Sequence, residues 1–168
     1  YRLRYEKNDN LKITQAVAAY LADKEDVQVI MTRSDDTFLS LEERTTFANQ
    51  NNADYFVSLH RNTGEGNGVE TWIRSDADDK AQALAKNIMD NLDAAGISRN
   101  RGVKKGTQKS ESKDYYVNLH TNMPACIVEL GFMNSPTDNQ LFDANVENYA
   151  KAIGDAVLKT YEAYGKDG

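Results

Sequence analysis

Runs of strand character alternate with runs of helical period along this chain, and that alternation restricts its architecture more than any other feature. Leu11, Thr14, Val17, Ala18 and Leu21 recur at helical spacing, which predicts an amphipathic helix over about residues 8–24. VQVIMT, residues 27–32, alternates and is rich in branched side chains, as a strand should be. Ser40 and Glu43 form an S-x-x-E capping box that opens a helix through LEERTTFANQ, stopped by Asn49, Asn51 and Asn52. DYFVSLH and GVETWIR read as strands, and Ala81, Leu84, Ile88, Leu92 and Ala95 mark a long helix that Gly96 ends. YYVNL is a weak strand and PACIVEL a strong buried one. Pro136 starts a short helix ahead of a last one carried by Val146, Tyr149, Ile153, Val157 and Tyr161.

This order predicts an α/β fold, a three-layer sandwich with a mainly parallel central sheet and helices on both faces. With 168 residues and no internal repeat or linker, the chain reads as a single domain over residues 1–168. Residues 97–114 are polar and rich in Lys, Ser and Gly, and are expected to form a long loop.

Composition removes several classes of function. A formal net charge of -6 argues against a phosphate-backbone ligand, so no nucleic acid is expected. The one basic cluster, NRGVKKGTQK, reads as a solvated loop. No apolar run approaches the ~20 residues of a membrane span. Lone Cys126 lies in the apolar run ACIVEL, which makes an intrachain disulfide impossible and a small buried thiol the expectation.

In sheets of this kind ligands collect at the carboxyl ends of the strands. The residues there are Arg33, His60, Arg74 and Glu129. His60, in VSLHRN, is either a locally hydrogen-bonded histidine or a metal ligand. Glu129, flanked by Val128 and Leu130, either faces solvent or is a carboxylate that must be paired, metal-associated or raised in pKa. Glu6, just before the first helix, complements the helix dipole or serves as a hard ligand. Glu70 alternates with Val69, so a solvent-facing position is expected, and Trp72 is expected in the core.

YEKNDNLKIT, MTRSDDTFLSLEERTTFAN, ADYFVSLHRN, GVETW, NRGVKK and MPACIVELGFMNSPTDNQLF, in this order, resemble the zinc-dependent N-acetylmuramoyl-L-alanine amidases of the amidase 3 type. The resemblance runs from about residue 5 to 161. It implies hydrolysis of the amide bond between N-acetylmuramic acid and L-alanine in peptidoglycan, with zinc as cofactor, outside the cell or in its wall, whether as autolysin, sporulation enzyme or phage endolysin. Carried over by position, Glu6 and His60 match two zinc ligands and Glu129 the catalytic glutamate; Asn62 and His120 are possible substrate contacts.

The family's first strand and its GHGG-loop histidine have no counterpart here, so the chain is expected to be truncated at its N-terminus. The alternatives are that His120 completes the site or that the form is metal-free. Arg61 stands where a small residue is commoner, and would narrow the mouth or salt-bridge to a neighbour. Two other functions remain open: a carboxypeptidase-like zinc amide hydrolase on the same fold, and a catalytically silent wall-binding module.

Overall fold

The computed structural model describes residues 3–108 and 112–165. Its first helix, α1 (Glu6–Leu21), begins with Glu6 and Asp9 in the first turn, where acidic side chains oppose the positive end of the helix dipole. In α2 (Leu41–Gln50) the predicted capping box is complete: the Ser40 hydroxyl accepts from Glu43 N, and the Glu43 carboxylate accepts from Ser40 N. Strand β1 (Phe56–Asn62) and strand β2 (Val69–Ile73) follow. The long helix α3 (Asp79–Ala95) is capped by the Asp78 side chain and closed by Gly96 at φ 99°. Strand β3 (Asn100–Lys105), the short helix α4 (Tyr116–His120) and strand β4 (Ala125–Phe132) lead to α5 (Pro136–Tyr164).

The sheet order is β1-β4-β2-β3. β1 and β4 are parallel, β4 and β2 antiparallel, and β2 and β3 parallel, so the sheet is mostly parallel as expected. Helices α1, α3 and α5 close one face over a core that includes Ile73, Leu84, Ile88, Val128, Leu130, Phe142 and Ile153. The other face holds a small cluster of Trp72, Val117 and Ile127, covered by α4. Strand alternation therefore sends Val128 and Leu130 into the main core, and Ile127 and Glu129 to the thinly covered face.

Three local expectations fail, each for a physical reason. Residues 27–32 form no strand: Ile30, Met31 and Thr32 wall a cleft of about 150 Å³ whose far side is β1. The pattern favours an extended chain, but a strand also needs a ladder partner about 4.8 Å away, and the cleft intervenes. YYVNL contributes α4 instead of a strand, because Val117 packs on Trp72 and Ile127 while Asn118 Nδ2 donates to the Trp72 carbonyl. Within the expected 97–114 loop lies β3. Its NRGVKK sequence has one apolar side chain, enough for an edge strand that stays largely exposed; Lys109, also in that basic run, is outside the described residues. The short helix opened by Pro136 and the last helix both form as expected, and run on without a loop as α5, kinked at Asn145 (φ -126°, ψ 19°).

Beyond Glu129 the chain turns at Gly131, whose φ of +83° disfavours any side chain. A Cβ there would also sit 2.9 Å from Asp138 Cβ. Asp138 anchors this corner: its carboxylate accepts from Gly68 N and Phe132 N, each at 2.9 Å, and from the Ser98 hydroxyl. Gly131→Ala is expected to cost at least about 1–2 kcal/mol from the left-handed backbone alone. Urea denaturation checks this, and an unchanged midpoint would contradict it.

Candidate active site

Register places a row of ionisable side chains across the sheet. His60 on β1 is the partner of Glu129 on β4, and Glu129 is the partner of Glu70 on β2. Directly paired residues project to the same side, here the face away from the main core. From β3, Arg101 completes the row by donating from Nε to Glu70 Oε1 at 3.1 Å.

His60 is held at both ring nitrogens. Nδ1 faces Glu6 Oε1 at 3.2 Å, and Ser58 Oγ lies 2.6 Å from Nε2. Asn10 Nδ2, one turn along α1 from Glu6, donates to Glu6 Oε1 at 3.3 Å. Burial raises the proton affinity of the Glu6 carboxyl, but hydrogen bonding and charge from His60, with the Asn10 bond, outweigh it and leave its pKa lowered. Glu6 and His60 also line an open cavity of about 420 Å³ that Arg33 and Arg44 border. The first turn of a helix and the end of an adjacent strand thus present one carboxylate and one imidazole to the same space.

Glu129 is the least satisfied group in the row. Its Oε2 is buried and has no hydrogen-bond partner. Burial, with the nearby charges of Glu6 and Glu70, pushes its carboxyl up to about 7, against a smaller opposing pull from His60. A carboxyl poised near neutrality can take a proton and return it, the property required of a general acid–base group.

Glu70 corrects the expectation of a solvent-facing side chain. It is fully buried, and its charge is matched by Arg101 and by Lys104 Nζ at 3.6 Å from Oε2. Trp72 Nε1 donates to Oε2 at 2.8 Å and Asn62 Nδ2 to Oε1 at 3.1 Å. Asn62 is therefore committed to Glu70, two residues after His60. The sequence carries part of the signal, a glutamate and an indole at alternate positions of β2; Arg101 and Lys104 are three residues apart on β3 and meet Glu70 together only because the β2–β3 register shifts between Val69 and Thr71.

His120 ends α4, where its ring lies 4.1 Å from the Tyr116 ring and its carbonyl accepts from Asn49 Nδ2. Among the described residues no three His, Cys, Asp or Glu side chains gather into a metal-holding group, so His120 does not join Glu6 and His60. Arg61, next to His60, points into the opposite face. There it salt-bridges Asp9 at 2.7 Å, donates to Asn139 Oδ1 at 2.7 Å and stacks over Phe142 at 4.6 Å.

The donor chemistry of the site suits zinc in type. A carboxylate and an imidazole, fixed on adjacent elements with an unsatisfied carboxylate oxygen beside them, are of the right types. They supply two of the three protein ligands that a catalytic zinc site uses.

Comparison with known proteins gives one consistent result. The sequence profile of the family described as N-acetylmuramoyl-L-alanine amidase matches residues 2–159. YqiI of Bacillus subtilis (strain 168) is 34% identical over 163 residues, covering 95% of this chain and 74% of that protein. A Staphylococcus epidermidis protein named "Probable cell wall amidase LytH" is 29% identical over 163 residues, and this chain spans 50% of its length. The crystal structure of N-acetylmuramoyl-L-alanine amidase from Clostridium difficile 630 superposes with a TM-score of 0.88 at 32% identity, covering 96% of this chain and 87% of that one.

Proposed function

Given that this chain belongs to the N-acetylmuramoyl-L-alanine amidase family, we propose that it cuts peptidoglycan with a zinc ion held by Glu6 and His60 and with Glu129 as the proton-transferring group. The bond broken joins the lactyl carbonyl of N-acetylmuramic acid to the nitrogen of L-alanine in the stem peptide, which puts the site of action at the cell wall. The observation that carries the reading is the half-buried Glu129 carboxyl, in register with His60, raised to about 7 and with its buried Oε2 lacking a partner.

A bound zinc supplies Lewis-acid polarisation of the amide carbonyl and makes water acidic enough to react near neutral pH. Glu6 and His60 contribute a donor pair whose orientation is fixed beforehand: Ser58 and Asn10 hold the imidazole and carboxylate through hydrogen bonds. Ionised Glu129 accepts a proton from the attacking water as the new C–O bond forms. Protonated Glu129 then gives that proton to the departing nitrogen as the C–N bond breaks, which releases a free L-alanine amine and a muramoyl carboxylate. The same carboxyl serves both half-steps because its proton affinity lies close to the working pH.

The experiment is digestion of purified peptidoglycan in the presence of zinc, with the products read by mass spectrometry. The expected products are glycan strands ending in intact lactyl carboxylates, and free stem peptides with an N-terminal L-alanine. Cleavage within the stem peptide, or peptidoglycan binding with no cleavage, would overturn the reading.

A further inference from the structure

One part of the row is not used by this chemistry. Glu70 is fully buried, and neutral donors already satisfy both its oxygens: Trp72 at Oε2 and Asn62 at Oε1. One cation would balance its charge, yet two are present, Arg101 and Lys104. The surplus leaves one net positive charge beside the carboxylates of Glu129 and Glu6. Neither cation is sealed in, since the side chains of Arg101 and Lys104 retain 22% and 33% exposure. Each is steadied against an aromatic ring, Arg101 over Phe132 at 5.1 Å and Lys104 over Trp72 at 5.7 Å. Arg101 and Lys104 sit on β3, across β2 from Glu129.

We propose that Arg101 and Lys104, held by the buried Glu70, form a carboxylate-binding subsite that selects stem peptides carrying a free acid next to the L-alanine. The inference rests on the amidase reading and adds to it a preference among substrates. Spacing supports the assignment. Two strand intervals separate β4 from β3, about 10 Å, and an extended chain covers ~3.3–3.6 Å per residue. A carboxylate within two or three residues of the scissile nitrogen reaches the pair. A guanidinium with unused N–H donors beside an ammonium is a suitable receptor, since charge-assisted hydrogen bonds are roughly twice as strong as neutral ones. Glu70 serves as a positioning residue: its buried oxygens fix the direction of both cations, and Asn62 ties it to the strand that carries His60.

The test compares two synthetic disaccharide–tetrapeptides that differ only at the second stem residue, D-isoglutamate or D-isoglutamine. The wild-type chain is expected to favour the acid by about tenfold in kcat/KM, mostly through KM. Arg101→Gln and Lys104→Gln should each bring the acid-to-amide ratio to within about twofold of unity. If Arg101→Gln unfolds the chain by stranding Glu70, Lys104→Gln decides alone: it leaves the Arg101–Glu70 pair in place and should still show no preference. A purely structural role lowers both rates together and leaves the ratio unchanged. The proposal is overturned if the wild type shows no preference, or if the preference persists when the cations are gone. Failure of the wild type to cut either substrate would instead bring down the amidase reading, and this inference with it.

Discussion

Glu129→Gln is expected to lower kcat for amide hydrolysis by about 10²–10⁴-fold, the usual worth of a positioned acid–base group, while making the metal-free chain more stable above neutral pH. Both effects have one cause. The folded state holds Glu129 near 7, against 4.5 for an unperturbed side chain. Between those values the folded chain binds more protons than the unfolded one, so stability falls as pH rises. The contribution is fully present below about 4.5 and lost by the time pH passes 7. The span corresponds to about 3 kcal/mol at most. Glutamine cannot ionise and escapes this penalty. Urea unfolding in EDTA at pH 5 and pH 8 should show the variant gaining relative to wild type only at the higher pH. A variant that is destabilised equally at both would show that Glu129 is a structural residue.

The second large effect lies behind the sheet. Asp9→Ala should destabilise the chain by about 3–5 kcal/mol, the cost of leaving a buried charge without its partner. Arg61 is 2% exposed, and its Nη1 salt-bridges Asp9 Oδ2 at 2.7 Å. The same carboxylate oxygen also accepts from Arg4 Nε at 2.7 Å, and Arg4 reaches on to Asp143 of α5. α1, β1 and α5 are therefore joined at one point, a single helical turn from Glu6. Chemical denaturation should report the loss, and a change below 1 kcal/mol would mean that Asn139 and Phe142 compensate Arg61 on their own.

Features governed by local chemistry were legible in the sequence. The Ser40–Glu43 box, the Gly96 stop and the apolar stripe of α3 each depend on residues a few positions apart, and each forms as read. The alternation of elements gave the α/β sandwich. What escaped depends on partners distant in the chain. VQVIMT has strand-like residues but no ladder partner, whereas NRGVKK lacks strand-like residues and is recruited by β2. The helix from Tyr116 to His120 is set by α4 lying over Trp72, a contact distant in the chain. For the candidate site, a resemblance could nominate Glu6, His60 and Glu129, but composition alone could not say which side of β4 carries Glu129. Its neighbours Val128 and Leu130 decide that by filling the core. Glu70 was misplaced for the same reason: alternation with Val69 gives two faces, and the sequence does not say that the second face is also covered.

The most direct test of the metal-centred account is calorimetric titration of zinc into the wild-type chain and into His60→Ala, Glu6→Gln and Glu129→Gln. One site is expected in the wild type, with affinity lowered by about 100-fold or more in the first two variants, the upper end of what even outer-sphere changes cost, and affinity close to wild type in Glu129→Gln. No zinc uptake by the wild type, or equal affinity in His60→Ala, would contradict the assignment of Glu6 and His60 as metal donors.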